Sequence, residues 1–116
     1  MIHRQNDYRT DLRSSMRGGD GEIKIEHLWE KELNSPIRMF SRITVEPGCS
    51  IGFHNHDNEE EMFYIISGQA EADDNGNTVI LNPGDTILTG NGDGHSIKNA
   101  GKTPLVMMAV IARFCK

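Results

Sequence analysis

The sequence predicts an all-β fold, a sandwich or barrel of nine or ten short strands. Three observations predict it. Apolar and polar residues alternate with period two along most of the chain. Turn residues recur between these runs at regular spacing. Almost no stretch keeps a helical period long enough to form a helix.

Residues 1–21 read as a polar N-terminal arm carrying Arg4, Arg9, Arg13 and Arg17, with a short helix expected near Tyr8–Leu12 and a turn at Gly18-Gly19-Asp20-Gly21. From residue 22 to 116 the pattern is that of a single β-barrel domain. Ile23, Ile25 and His27 alternate with Lys24, Glu26 and Leu28. A turn around Glu30–Ser35 precedes a strand from Ile37 to Glu46. There Ile37, Met39, Ile43 and Val45 are expected to share one face, and Arg38, Phe40, Arg42 and Thr44 the other. Pro47-Gly48 turns the chain into strands at Ser50–Asn55, Glu61–Ser67 and Gln69–Asp73. Asp74-Asn75-Gly76-Asn77 is a hairpin signal. It leads to Thr78–Leu81, the turn Asn82-Pro83-Gly84-Asp85, and strands at Thr86–Thr89, His95–Asn99 and Leu105–Phe114. The last strand is apolar on both faces, as a strand is when it is central or covered by a partner. A homodimer is expected, with the arm and outer strands of one subunit on the other.

Composition narrows the function. Twelve basic against seventeen acidic residues leave a formal charge of −5 and no basic stripe, which argues against nucleic acid. The longest apolar run, Leu105 to Ala112, is too short to span a bilayer, so no membrane partner is expected. The first residues hold no apolar signal segment, and Cys49 and Cys115 do not make a disulfide framework. A cytoplasmic setting is the expectation.

Two segments carry the chemistry. The first holds Gly48, then His54 and His56 two apart, then Glu61 and Gly68; the second holds Gly84, Gly92, His95 and Asn99. Residues two apart on a strand face the same way, so His54 and His56 converge. Spacing and order resemble the two motifs of the cupin family: Gly-x5-His-x-His-x4-Glu-x6-Gly, then Gly-x5-Pro-x-Gly-x2-His-x3-Asn. The one departure is Gly90, at the usual Pro, which is expected to loosen a turn and removes no ligand. The resemblance implies a cupin double-stranded β-helix, a jelly-roll barrel, with the N-terminal arm outside it. It extends to small proteins described as similar to oxalate decarboxylase. The decarboxylases themselves have two such domains and a lid glutamate, whereas this chain has room for one domain and no long lid insertion.

The expected site is a divalent metal held by His54, His56, Glu61 and His95, because a cation gives four converging polar side chains a common partner. The family pattern implies the same ligands, and Mn or Fe foremost, with Ni, Zn, Co and Cu also used; the ligand types do not select among them. Six-coordination leaves two positions open for a small-molecule ligand, whereas four-coordinate Zn would be closed and structural. Glu61 is the catalytic candidate, acting through the metal. Arg38 or Arg42 could clamp a carboxylate, Phe63, Ile65 and Ile97 would line the pocket, and Ser50 and Gly52 would share the inward face of His54. Glu59 or Glu60 could act as acid or base at the mouth, and Asp93 could sit at the entrance. His3 and His27 read as surface polar residues. Three functions stay open: a metal-dependent enzyme on a small organic acid or sugar derivative (dioxygenase, decarboxylase or isomerase chemistry), a non-catalytic ligand-binding module, and a structural metal site.

Overall fold

A computed structural model describes residues 1–114 of the 116-residue chain. Ten strands form: β1 (Arg9–Ser14), β2 (Glu22–His27), β3 (Ile37–Val45), β4 (Ser50–Asn55), β5 (Glu59–Ser67), β6 (Ala70–Asp74), β7 (Asn77–Leu81), β8 (Thr86–Gly90), β9 (Gly94–Lys98) and β10 (Leu105–Arg113). They make two antiparallel sheets, one ordered β1-β2-β3-β10-β5-β8 and the other β4-β9-β6-β7. Two facing sheets with almost no helix are the jelly-roll architecture the sequence implies. Among the described residues no helix is long and apolar enough to cross a membrane.

The core lies between the sheets, where the inward positions of the alternating strands meet. Ile23 and Ile25 of β2, Ile43 and Val45 of β3, Phe63 and Ile65 of β5, and Leu105, Met107 and Ala109 of β10 are all buried. Asn99 is buried as well. Its amide donates to the carbonyls of Val45 and Thr103 at 2.8 Å, and its Oδ1 accepts from the Gly101 amide at 2.9 Å. This motif residue therefore ties two turns together away from the ligand cluster.

Three local expectations are corrected. Tyr8–Leu12 does not form a helix. Residues 9–14 pair antiparallel with β2, Arg9 opposite His27 and Arg13 opposite Ile23, and three-residue 3₁₀ turns flank the strand. His27 is not on the surface. β1 covers it, so it is 8% exposed, with Nε2 2.8 Å from Asp11 and Nδ1 3.1 Å from the Ser41 hydroxyl. His3 stacks on Trp29 at 4.0 Å and meets the Leu28 carbonyl at 2.7 Å. Gly90 does not loosen a turn. It ends β8 opposite Glu60, where a Cβ would come within 2.7 Å of the Glu60 Cβ and 2.8 Å of the Glu59 carbonyl. A side chain there would push β8 off β5.

The arm is docked through glycine. A Cβ on Gly52 would collide with the Arg17 carbonyl, and one on Gly19 with the Ser50 carbonyl. Around these contacts Ser50 N donates to Asp20 O and Asp20 N to Ser50 Oγ, both at 2.8 Å. Backbone cannot shift as a side-chain end can, so Gly52→Ala is expected to cost about 1–3 kcal/mol. The check is a denaturant melt, with rapid proteolysis of the freed arm in the variant.

Candidate metal centre

β-strand parity alone does not bring the four residues together; a bulge does. β4 pairs with β9 as Ile51 with Ile97 and His54 with His95, three steps on one strand against two on the other. The extra residue reverses the faces. Ile51 and His54 therefore both point inward, while Gly52 faces the arm and Phe53 is exposed, which corrects the expectation that Ser50 and Gly52 line the site. His56 follows on the loop, Glu61 comes from β5 and His95 from β9.

The four residues offer ligand atoms that all lie within 4.8 Å of one another and could hold a metal ion. His56 Nε2 is 2.9 Å and His95 Nε2 3.0 Å from Glu61 Oε1. His56 and His95 Nε2 are 3.1 Å apart, and His95 and His54 Nε2 are 3.2 Å apart. For His54 and His56 the second ring nitrogens fix the tautomers. His54 Nδ1 meets the Gly52 carbonyl at 2.8 Å, and His56 Nδ1 meets Glu59 Oε2 at 2.6 Å. Carbonyl and carboxylate can only accept, so each Nδ1 donates and each neutral ring turns an Nε2 lone pair inward. Lone pairs and a carboxylate crowded together repel unless a cation or protons sit among them, so the donor set fits a divalent ion.

Electrostatics agree with that fit. Burial opposes ionisation of Glu61, but positive charge beside it, here protons on His56 and His95 in the place of a cation, outweighs burial and holds the carboxyl below its usual range. The Glu61 carboxylate raises His56, while burial pushes the more exposed His54 down. Phe63 backs the cluster, its ring stacked on His95 at 5.0 Å and 9°.

A cavity of about 140 Å³ opens above the cluster, lined by His54, His56, Glu61, Phe63 and Arg38, with apolar walls from Met39 and Ile43. Arg38 reaches it because it is the extra residue where β3 pairs with β10, Ile111 opposite Met39 and Ala112 opposite Ile37. It does not face the ligand space freely. Its Nε and Nη2 donate to Glu59 at 2.6 and 2.8 Å. Arg42 stays on the outer face, where it grips Glu26 at 3.0 and 2.9 Å, so it is not placed at the cavity. Ile65 and Ile97 lie in the core between the sheets, and neither lines the cavity. The loop bearing Asp93 is bonded to the His56 backbone in both directions, His56 N to Asp93 O and Gly92 N to His56 O. That fixes the entrance instead of leaving it mobile.

Glu59 is thus held at both ends. The Arg38 guanidinium, opposed by burial and assisted by His56, holds its carboxyl at about 2. It orients His56 and is committed to that task. Glu59→Gln is expected to weaken Mn(II) binding about tenfold to a hundredfold, the usual cost of losing a partner behind a metal-binding histidine; titration calorimetry reads it.

Sequence reasoning missed the contribution of the arm. Arg13, Met16 and Arg17 also line the cavity. Their placement follows from β1 and from the close approach at Gly52, and only the glycine was visible as a signal.

Comparisons with known proteins follow the same lines. The family description "Cupin domain" matches residues 41–111. The chain is 40% identical over 112 residues to the oxalate-binding protein of Thermotoga maritima, covering 96% of this chain and 93% of that one. It superposes on the crystal structure of a predicted oxalate decarboxylase from Thermotoga maritima with a TM-score of 0.92 and 39% identity, covering 97% and 99% of the two chains. A putative mannose-1-phosphate guanylyltransferase of Vibrio cholerae is 31% identical over 70 residues, 60% of this chain and 15% of that protein.

Proposed function

Because this chain belongs to the cupin family, we propose that it binds one divalent metal ion through His54, His56, Glu61 and His95 and, through the ion, a small dicarboxylate such as oxalate. The spacing of the donor atoms carries the reading. Ligands about 2.1 Å from an ion and at right angles lie about 3.0 Å apart, whereas tetrahedral ligands lie about 3.4 Å apart. Four of the donor pairs, at 2.9, 3.0, 3.1 and 3.2 Å, lie nearer to the right-angle spacing. That favours six-coordinate Mn(II) or Fe(II) over closed, structural Zn. A six-coordinate ion held by these four residues would leave two positions for a small ligand.

The cavity supports a small ligand. About 140 Å³ is close to the space that takes a benzene-sized molecule. Oxalate or malonate suits a space of that size. The name of the Thermotoga maritima relative supports oxalate.

An enzyme is the second reading, favoured by the open positions, since a metal with exchangeable ligands can polarise or activate what it binds. Against it, Glu61 is the only carboxyl group lining the cavity among the described residues, and Glu59 is engaged by Arg38 and His56. Among the described residues lining the cavity, no further carboxyl group is left for proton transfer. The Co(II)-loaded protein titrated with oxalate tests both readings. A saturable one-to-one change in the visible spectrum, with oxalate recovered intact, supports binding. Consumption of oxalate supports the enzyme, and no spectral change contradicts both.

We also propose that the chain works as a homodimer through the outer face of the larger sheet. Leu88, Met62, Val110 and Phe40 form one apolar row across β8, β5, β10 and β3, beside Tyr64 and Met108. Tyr64 and Leu88 are 50% and 62% exposed, more than apolar side chains of a monomer need show. Light scattering is expected to give the mass of two chains, and Tyr64→Glu the mass of one.

A further inference from the structure

We propose that Arg13 and Arg17 form an anion clamp over the metal cavity and select small dicarboxylates by gripping carboxylate oxygens that the ion leaves free. The inference rests on the metal-centred reading above and adds to it the residues that choose the ligand. They come from the N-terminal strand and the turn behind it, outside the region that carries the family motifs.

The first observation is that these arginines lack partners among the described residues. Arg9 is gripped by Glu30 and Asp11, Arg38 by Glu59, and Arg42 by Glu26. Arg13 and Arg17 line the cavity, yet among the described residues neither guanidinium holds an ion pair or a hydrogen bond. Arg13 and Arg17 line the cavity beside the Arg38–Glu59 pair, and the one lining carboxylate among the described residues is Glu61, which lies against His56 and His95. Adding a divalent ion makes the excess of positive charge larger. Such a cavity attracts an anion, although the chain as a whole carries −5.

The second observation is how Arg17 is held. Five non-glycine residues have positive φ among the described ones, and three are asparagine, which tolerates it. Ser15 and Arg17 are the others, at φ 53° and 54°. Two left-handed residues in three turn the chain back over the cavity at a conformational cost that a glycine would avoid. The Asp20–Ser50 hydrogen bonds and the contacts at Gly19 and Gly52 then pin this turn to β4, next to His54. A backbone strained and fixed in this way holds the start of the Arg17 side chain at the cavity.

The chemistry points to carboxylates. A planar guanidinium fork matches a carboxylate in two parallel hydrogen bonds. A dicarboxylate can chelate the ion with one oxygen from each end and leave an outer oxygen on each carboxylate for an arginine.

The test is titration calorimetry on the full Mn(II)-loaded chain with oxalate, malonate, inorganic phosphate and acetohydroxamate, the last a metal chelator without a carboxylate. Arg13→Gln and Arg17→Gln are each expected to weaken oxalate binding about tenfold to a hundredfold, the scale of a charge-assisted hydrogen bond. Mn content and acetohydroxamate affinity should stay at wild-type values, and Arg17→Lys should fall between wild type and Arg17→Gln. Arg17→Gly should bind oxalate weakly yet melt at a higher temperature than wild type, because glycine relieves the φ of 54°. Oxalate affinity unchanged in the double Gln variant would overturn the clamp and leave the metal reading standing. Equal losses for acetohydroxamate would also overturn it, and phosphate binding as tight as oxalate would overturn the selectivity. A loaded wild-type protein that binds no dicarboxylate would overturn both the clamp and the reading beneath it.

Discussion

Removing divalent cations with a chelator is expected to lower the melting temperature by roughly 15 °C, and re-adding Mn(II) to restore it. A ligand held only by the folded chain, at a free concentration about a thousand times its dissociation constant, contributes about 4 kcal/mol. Each kcal/mol moves the midpoint of a domain near this size by about 4 °C. The physical source is the cluster itself: three imidazoles and the 4%-exposed Glu61 lie within 3.2 Å of their neighbours, and a cation relieves that crowding. In His56→Ala the melting temperature should no longer respond to metal. A wild-type shift below about 2 °C would count against a tight site.

The second large effect is expected at Phe63. Its side chain is 2% exposed, with Ala109 opposite it on β10 and Ile87 opposite it on β8. A large side chain beside a small one fills the layer between the sheets. Phe63→Ala should cost about 3–5 kcal/mol, the lost burial plus the cavity left behind, out of the roughly 5–15 kcal/mol of a whole domain. It also removes the ring stacked on His95, so metal affinity should fall together with stability. Phe63→Leu should keep most of both. Chemical denaturation at saturating Mn(II) measures the first and calorimetry the second. A loss under about 1 kcal/mol would mean that the ring is not the packing element described here.

The parts legible in the sequence are those in which one face of a strand is dry. Met39, Ile43 and Val45 of β3 and the inward residues of β10 declare themselves because a strand places every second side chain on the same face. The four candidate ligands were legible from spacing, and the fold brings them together. β1 was not legible. Arg-Thr-Asp-Leu-Arg-Ser has no apolar alternation, and its strand form rests on pairing with β2 and on polar contacts from Asp11 to His27 and Arg9 to Glu30. Missing it placed His27 on the surface and left Arg13 and Arg17 without a site. The bulges account for the rest. One extra residue in β4 turns Gly52 away from His54, and one in β3 separates Arg38 from Arg42. A single inserted residue reverses the faces beyond it, and no side-chain pattern marks either insertion.

The most direct test is the metal content of the protein purified without a tag or added metal, measured by elemental analysis beside His54→Ala. The account predicts about one Mn or Fe per chain in the wild type and a loss of that ion in the variant. Stoichiometric Zn, equal metal in both proteins, or no uptake by the wild type even from added Mn(II) would contradict it.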